Sequence, residues 1–205
     1  VTSQAGVFTK EFGELKGSLM KAGQMLSMYG EYFFPPQANQ ILKSLQSDSP
    51  AIEWSVMRSY LEKYFTDEQI DALEIDPEPI GTASMGQVHK AKIKATQQYI
   101  ALKIQYPDVD KAIDSDVTAL KTLLKVSKIL PDGLDLTGIL EEIKVMLRQE
   151  LDYIQEAELT KEYYNYLKGD LRYVVPQVID QFSNKKVLAT EYIEGLRADH
   201  SMIQA

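Results

Sequence analysis

Residues 76–105 leave this chain the least freedom of fold. Upstream, apolar residues recur at steps of three and four, the mark of helix. Here the period falls to two, the mark of strand. Three strands are predicted, at about 76–82, 86–94 and 98–105, the last two joined as a hairpin around Thr96-Gln97. Gly81-Thr82-Ala83-Ser84-Met85-Gly86-Gln87-Val88 spans the first turn, and Ala101-Leu102-Lys103 lies on the third strand. Alternation puts Ala101 and Lys103 on one face. Leu102 and Ile104 take the other, toward a core.

Around this sheet the pattern is helical. A first helix is predicted over 7–29, where Phe8, Phe12, Leu15, Leu19, Gly23 and Leu26 share a stripe. Pro35-Pro36 breaks it and starts a second helix to about Leu45. A third covers 53–64, with Trp54, Met57, Leu61 and Phe65 on one side, and a short turn or helix covers 67–73. After Tyr106-Pro107 a helix is expected over 108–129, then a break at Pro131-Asp132-Gly133, then one long helix over 136–168. Two more strands, about 177–182 and 186–191, flank a turn at Ser183-Asn184. Five strands split three and two around a helix match the small lobe of a protein kinase. The fold class is therefore α+β, a kinase-like small lobe with a five-stranded antiparallel sheet and a long helix, preceded by an all-helical extension. The boundaries are 1–74 for the extension, 75–192 for the lobe and 193–205 for a hinge and the start of a further lobe.

A net charge of −8 argues against a nucleic-acid partner, which needs a basic face. With no cysteine there is neither a disulfide framework nor a thiolate metal site. His89 and His200 lack ligand-like spacing, and a packed His89 is the better reading. Val1-Thr2-Ser3-Gln4 lacks the charged and apolar regions of a signal peptide. The first residue is not Met and the chain stops within an apparent helix start, so a fragment is expected.

The glycine loop carries the chemistry. It follows the kinase spacing G-x-G-x-x-G-x-V with Ala83 at the middle glycine, and Ala101-x-Lys103 follows the strand that carries a phosphate-binding lysine. In such a lobe Ala101 leaves room for an adenine ring, Val88 covers it from the neighbouring strand, and Lys103 reaches the phosphates as a point charge. A solvated lysine on a plain hairpin is the alternative. A kinase lysine also needs a carboxylate on a packed helix. On a continuous helix 136–168, Ile139, Ile143, Leu147 and Ile154 form the apolar stripe, and Glu150 lies within it as the expected partner of Lys103. A surface glutamate beside the stripe is the other reading. Asp152 and Glu156, at i and i+4, share a different face, either solvated or turned to another cation or a magnesium ion. Lys21 and Gln24 share a face of the first helix. Gly23 costs that helix about 1 kcal/mol relative to alanine, which suggests close approach by another backbone. Thr190-Glu191-Tyr192-Ile193 would be the hinge, with the backbone of Glu191 and Ile193 on the adenine edge. Tyr163, Tyr164 and Tyr166 are either ordinary surface or an interface with a further lobe.

Five segments occur in one order: Lys21-Ala-Gly-Gln24-Met-Leu-Ser, Leu45-Gln-Ser-Asp-Ser-Pro50, Ala83-Ser-Met-Gly-Gln-Val-His89, Lys103-Ile-Gln-Tyr-Pro107 and Glu150-Leu-Asp152-Tyr-Ile-Gln-Glu156-Ala. Together they resemble the UbiB-type atypical kinase family, the kinase-like proteins of coenzyme Q biosynthesis, over nearly the whole chain. The resemblance implies a kinase-like fold with a helical extension packed where a protein substrate would lie. It implies binding of ATP or ADP with magnesium, ATPase activity, support of ubiquinone biosynthesis with other proteins of that pathway, and membrane association. It implies a mitochondrial location in a eukaryote, or a cytoplasmic or peripheral-membrane one in a bacterium.

By that resemblance Lys103 and Glu150 are the catalytic pair. Gly81, Thr82, Ala83, Ser84, Gly86, Val88, Ala101, Lys103, Glu191 and Ile193 border the nucleotide. Lys21, Gln24, Asp152 and Glu156 are regulatory, with the carboxylate that meets Lys21 left open among Glu150, Asp152 and Glu156. No metal ligand is assigned within this stretch. The family loop is alanine-rich, whereas this one keeps only Ala83 after Gly81-Thr82. The catalytic loop and metal-binding aspartate are expected beyond Ala205, so the intact protein is read as an ATP-dependent kinase or ATPase and this stretch alone as inactive. The alternative is a non-catalytic nucleotide sensor or scaffold.

Overall fold

The computed structural model describes residues 17–30, 34–35, 42, 51–126 and 134–195. The first half of the expected 7–29 helix, the helix after Pro35-Pro36 except Leu42, the Pro131-Asp-Gly133 break and residues 196–205 lie outside these. Helix α1 is Gly17–Gly30, α2 is Trp54–Leu61 and α3 is Asp67–Asp71. Thr66 caps α3 in a capping box with Gln69, which satisfies two otherwise orphaned N–H groups. Strands β1 (Leu73–Ala83), β2 (Gly86–Ile93), β3 (Tyr99–Gln105) and β4 (Val187–Glu191) form an antiparallel sheet in the order β1-β2-β3-β4. Helices α4 (Val109–Val126), α5 (Thr137–Glu150) and α6 (Tyr153–Leu167) lie between β3 and β4 in the chain. The fold is α+β with an antiparallel sheet, as expected.

Two expectations need correction. The predicted strand at 177–182 is reduced to a bridge, Val178 to Thr190, followed by a single 3-10 turn at Asp180–Phe182. Its pairing survives only as Ile179 N–H to Ala189 O at 2.8 Å and Glu191 N–H to Gln177 O at 2.9 Å. The turn lets Phe182 bury fully, with its ring centroid 6.2 Å from that of Phe65. The long helix 136–168 is two helices, broken at Leu151-Asp152. Asp152 caps α6, its carboxylate accepting the Gln155 N–H at 3.0 Å. The break resets the helical phase, so Ile143 and Leu147 are buried while Ile154, aligned with them on a continuous helix, is 52% exposed.

The sheet has two unlike faces. On one, Ile100, Leu102, Ile104, Val187 and Ala189 are buried in the main core with Met57, Leu61 and Phe65. On the other, the register places Val88 opposite Lys103, Lys90 opposite Ala101, and Lys103 opposite Leu188. Edge strand β1 carries Pro77 and Pro79, which cannot donate to a ladder, and its register shifts around Pro79.

His89 is fully buried on the core face. Its Nδ1 lies 2.8 Å from the Asp76 carbonyl, which only an N–H can satisfy, so Nε2 accepts from Gln87 Nε2 at 2.8 Å. Gln87 in turn pairs with both backbone groups of Ile52, at 2.9 and 3.2 Å. Trp54 lies against the imidazole at 4.6 Å. These contacts fasten the segment before α2 to β2, beside the glycine loop. Burial holds His89 below the usual histidine value, and the Asp76 carbonyl and the charges of Asp76 and Glu78 offset only part of this. A folded-state value below the unfolded one means that protons favour the unfolded chain, so stability is full above about pH 6.5 and falls as pH drops through that value. The urea midpoint is therefore expected to fall between pH 7.5 and 5.5, and His89→Gln to flatten that dependence. An unchanged slope in the variant would contradict this.

Candidate nucleotide site

The loop between β1 and β2 is a two-residue hairpin. Ala83 pairs with Gly86, and Ser84-Met85 make the turn. Among the described non-glycine residues only Gln97 and Asp108 have positive φ, so Ala83 sits unstrained in its strand. The hairpin tip is held from several sides. Met85 is buried, and its carbonyl accepts the Tyr106 N–H at 3.0 Å. Gly17, at the start of α1, packs so closely that a Cβ there would stand 1.7 Å from the Ser84 carbonyl oxygen. Gly86 admits no side chain either, because its Cβ would meet Ile104 O at 2.5 Å and the Tyr153 hydroxyl at 3.1 Å. Gly81 faces open space.

Lys103 leaves β3 on the open face and meets Glu156 of α6, with Nζ at 2.7 and 2.8 Å from the two carboxylate oxygens. Its ammonium also lies 4.8 Å from the centre of the Tyr153 ring. Tyr153 is 2% exposed and packs with Ala157 and Leu188. Burial, with the charges of Glu156 and Glu150, pushes its phenol well above the ordinary tyrosine value, so it stays neutral. Val88 and Ala101 stand beside Lys103 on the same half-open face.

The expected Lys103–Glu150 pair is not formed. Glu150 closes α5 and binds Lys21 of α1 at 2.7 Å, with side chains 35% and 21% exposed. The break at Leu151-Asp152 is the reason: it turns the residues after it to a new azimuth, so Glu150 faces the extension and Glu156 faces the sheet. Asp152 is exposed and serves as the α6 cap. Gln24 is exposed on α1, and Gly23 is buried there. Thr82 and Ser84 lie at the hairpin, away from Lys21 in sequence but joined to α1 through Gly17. At the expected hinge, Glu191 gives its N–H to Gln177 O, and its carboxylate accepts the Gln177 N–H at 3.0 Å. Ile193 is 47% exposed. Lys90, two residues beyond Val88, has its ammonium 4.5 Å from the Tyr99 ring and 4.2 Å from the Tyr192 ring. Among the described residues no group of three or more His, Cys, Asp or Glu could hold a metal ion.

Sequence reading missed Tyr153 and Gly17 as parts of this site. Restarting the helical count at Asp152, a preferred cap residue, would have put Tyr153, Glu156 and Ala157 on one face. No local signal marks Gly17, because its partner is a backbone carbonyl far along the chain.

A lysine strand, a carboxylate helix and a glycine hairpin on one antiparallel sheet define the small lobe of a kinase-like fold. The ABC1 atypical kinase-like domain matches residues 44–205, and the chain belongs to that family. It is 36% identical over 187 residues to the mitochondrial atypical kinase COQ8B of Danio rerio, covering 91% of this chain and 30% of that protein. It is 31% identical over 191 residues to the mitochondrial atypical kinase COQ8 of Schizosaccharomyces pombe, covering 93% and 31%. The chain thus spans roughly a third of the length of these curated relatives. Among solved structures it is similar to Rv3197 of Mycobacterium tuberculosis, described in complex with erythromycin, with a TM-score of 0.56 and 33% identity over 93% of this chain and 48% of that one.

Proposed function

We propose that this chain is the extension and nucleotide-binding small lobe of an atypical kinase-like ATPase that supports ubiquinone biosynthesis. The observation that carries this reading is the bidentate Lys103–Glu156 pair beside Val88 and Ala101 on the half-open sheet face. In this reading residues 1–74 are the extension, 75–192 the lobe and 193–205 the hinge and start of a second lobe. The adenine of ATP or ADP lies against Val88 and Ala101, with the backbone of Glu191 and Ile193 at its edge. Lys103 holds the phosphates, Glu156 fixes Lys103, and the hairpin from Gly81 through Thr82, Ala83 and Ser84 to Gly86 covers them. Glu156 thereby takes the catalytic-pair role first expected of Glu150. Magnesium, when bound with the phosphates, would neutralise their charge, and its ligands would lie mainly in the second lobe.

Lys21 and Gln24 form the gating element. The Lys21–Glu150 pair ties α1 to the end of α5, so opening the extension means breaking that pair. Relatives named as mitochondrial kinases support a mitochondrial location in a eukaryotic source. A bacterial form would act in the cytoplasm or at the membrane surface. Among the described residues no helix is long and apolar enough to cross a membrane.

The test is Lys103→Ala in the intact protein with ATP and magnesium. Hydrolysis is expected to fall by at least about a hundredfold, the scale on which a preorganised charge contributes to phosphoryl transfer. Wild-type hydrolysis in that variant would overturn the reading.

A further inference from the structure

We infer that Gln105 is a positioning residue that sets the α5–α6 break and, through it, the aim of Glu156 at Lys103. The inference rests on the nucleotide-site reading above. Gln105 is fully buried at the end of β3, two residues past Lys103. Its Nε2 donates to the Leu151 carbonyl at 2.6 Å and to the Lys185 carbonyl at 3.3 Å. Its Oε1 accepts from Lys186 Nζ at 3.1 Å, and the same ammonium pairs with Asp110 at 3.0 Å. The Gln105 N–H also donates to the Lys186 carbonyl at 3.1 Å. One buried amide therefore joins β3, the turn before β4, the first turn of α4 and the break between α5 and α6.

The Leu151 carbonyl is the pivot of that break. The last turn of α5 tightens, with Leu151 N–H donating to Arg148 O and Asp152 N–H to Gln149 O. The chain then turns so sharply that Tyr153 N–H donates to Leu151 O at 3.1 Å. In a continuous helix that carbonyl would serve the residue four further on. In the broken one its in-chain donor is the Tyr153 N–H only two residues on, and its second lone pair is open to an outside donor. Gln105 supplies it. The pivot stands one residue after Glu150 and five before Glu156. If it were free to straighten, α5 and α6 would approach one helix, and Glu156 would rotate away from Lys103. Lys186 and Asp110 hold the amide in the orientation that presents Nε2, not Oε1, to Leu151. Gln105 makes no bond to Lys103; its backbone stands opposite Gly86 in the β2–β3 ladder, but its side-chain amide bonds only Leu151, Lys185 and Lys186, so the influence of that amide passes through the break to Glu156.

A mutant cycle in the intact protein tests this, with affinity for ADP and magnesium read by titration calorimetry and thermal midpoints read alongside. The chains are wild type, Gln105→Glu, Glu156→Gln and the double variant. Gln105→Glu keeps an acceptor for Lys186 and removes the donor to Leu151. It is expected to weaken ADP binding about fivefold in the wild-type background and less than about 1.5-fold when Glu156 is already Gln, as coupled sites do. An equal loss in both backgrounds, or none in the wild type, would overturn the positioning role. If Glu156→Gln itself leaves binding unchanged, the nucleotide-site reading fails instead. Should Gln105→Glu not fold, Lys186→Met releases the same amide from its far side and is read by the same cycle, with the same two results deciding.

Discussion

Replacing Gly17 with alanine is expected to destabilise the protein by about 1–3 kcal/mol, the usual cost of forcing a group into a filled space. The added Cβ would stand 1.7 Å from the Ser84 carbonyl oxygen, and the obstacle is backbone, which no rotamer change can move. Intrinsic propensity pulls the other way, since alanine favours helix over glycine by up to about 1 kcal/mol. The clash should win, because relief requires α1 to lift from the hairpin as a body. Thermal unfolding gives the net sign. Amide exchange at Ser84, Met85 and Gly86 shows whether the tip is released. A variant that is more stable, with the hairpin still protected, would mean that α1 does not seat on the glycine loop.

Tyr153→Ala should have a still larger effect, about 3–5 kcal/mol, the range for removing a buried aromatic ring. The ring fills the gap between α6 and the open sheet face, against Ala157 and Leu188, and the Lys103 ammonium rests 4.8 Å from it. Its loss removes apolar packing and one neighbour of the lysine at once. Tyr153→Phe separates the parts: it keeps the ring and deletes only the hydroxyl near Gly86, so a loss of no more than about 1.5 kcal/mol is expected, the upper scale for a single polar group. Urea unfolding of the two variants decides. Similar small losses in both would show that the ring is not a packing element of this site.

The sheet was legible because its signals are local. Period-two alternation gave the open face of Ala101 and Lys103, and the turn near Thr96-Gln97 is where the structure puts a left-handed Gln97, with φ of 61°. The stripe of Met57, Leu61 and Phe65 was equally plain, and all three are buried. The pairing of carboxylates was not legible. A run of apolar residues at helical spacing crosses Leu151-Asp152 without a glycine or proline to stop it, so a continuous helix and Glu150 as the lysine partner were the natural reading. What breaks the helix is partly local, the Asp152 cap, and partly a side chain 46 residues upstream, Gln105 on the Leu151 carbonyl. Long-range contacts of that kind leave no periodicity. The missing fifth strand has the same origin, since burying Phe182 against Phe65 outweighs the strand pattern around it.

The most direct measurement is a side-by-side titration of ADP and magnesium into the intact protein carrying Glu156→Gln or Glu150→Gln. Glu156 holds Lys103 through two contacts of 2.7 and 2.8 Å, whereas Glu150 holds Lys21 at 2.7 Å. Glu156→Gln is expected to weaken binding about tenfold or more, as truncating one partner of a hydrogen-bonded charge pair does. Glu150→Gln frees the extension without touching the lysine, and binding should stay within about twofold of wild type or tighten. The reverse order, with Glu150→Gln costly and Glu156→Gln silent, would contradict the assignment of Lys103 and Glu156 as the nucleotide-site pair.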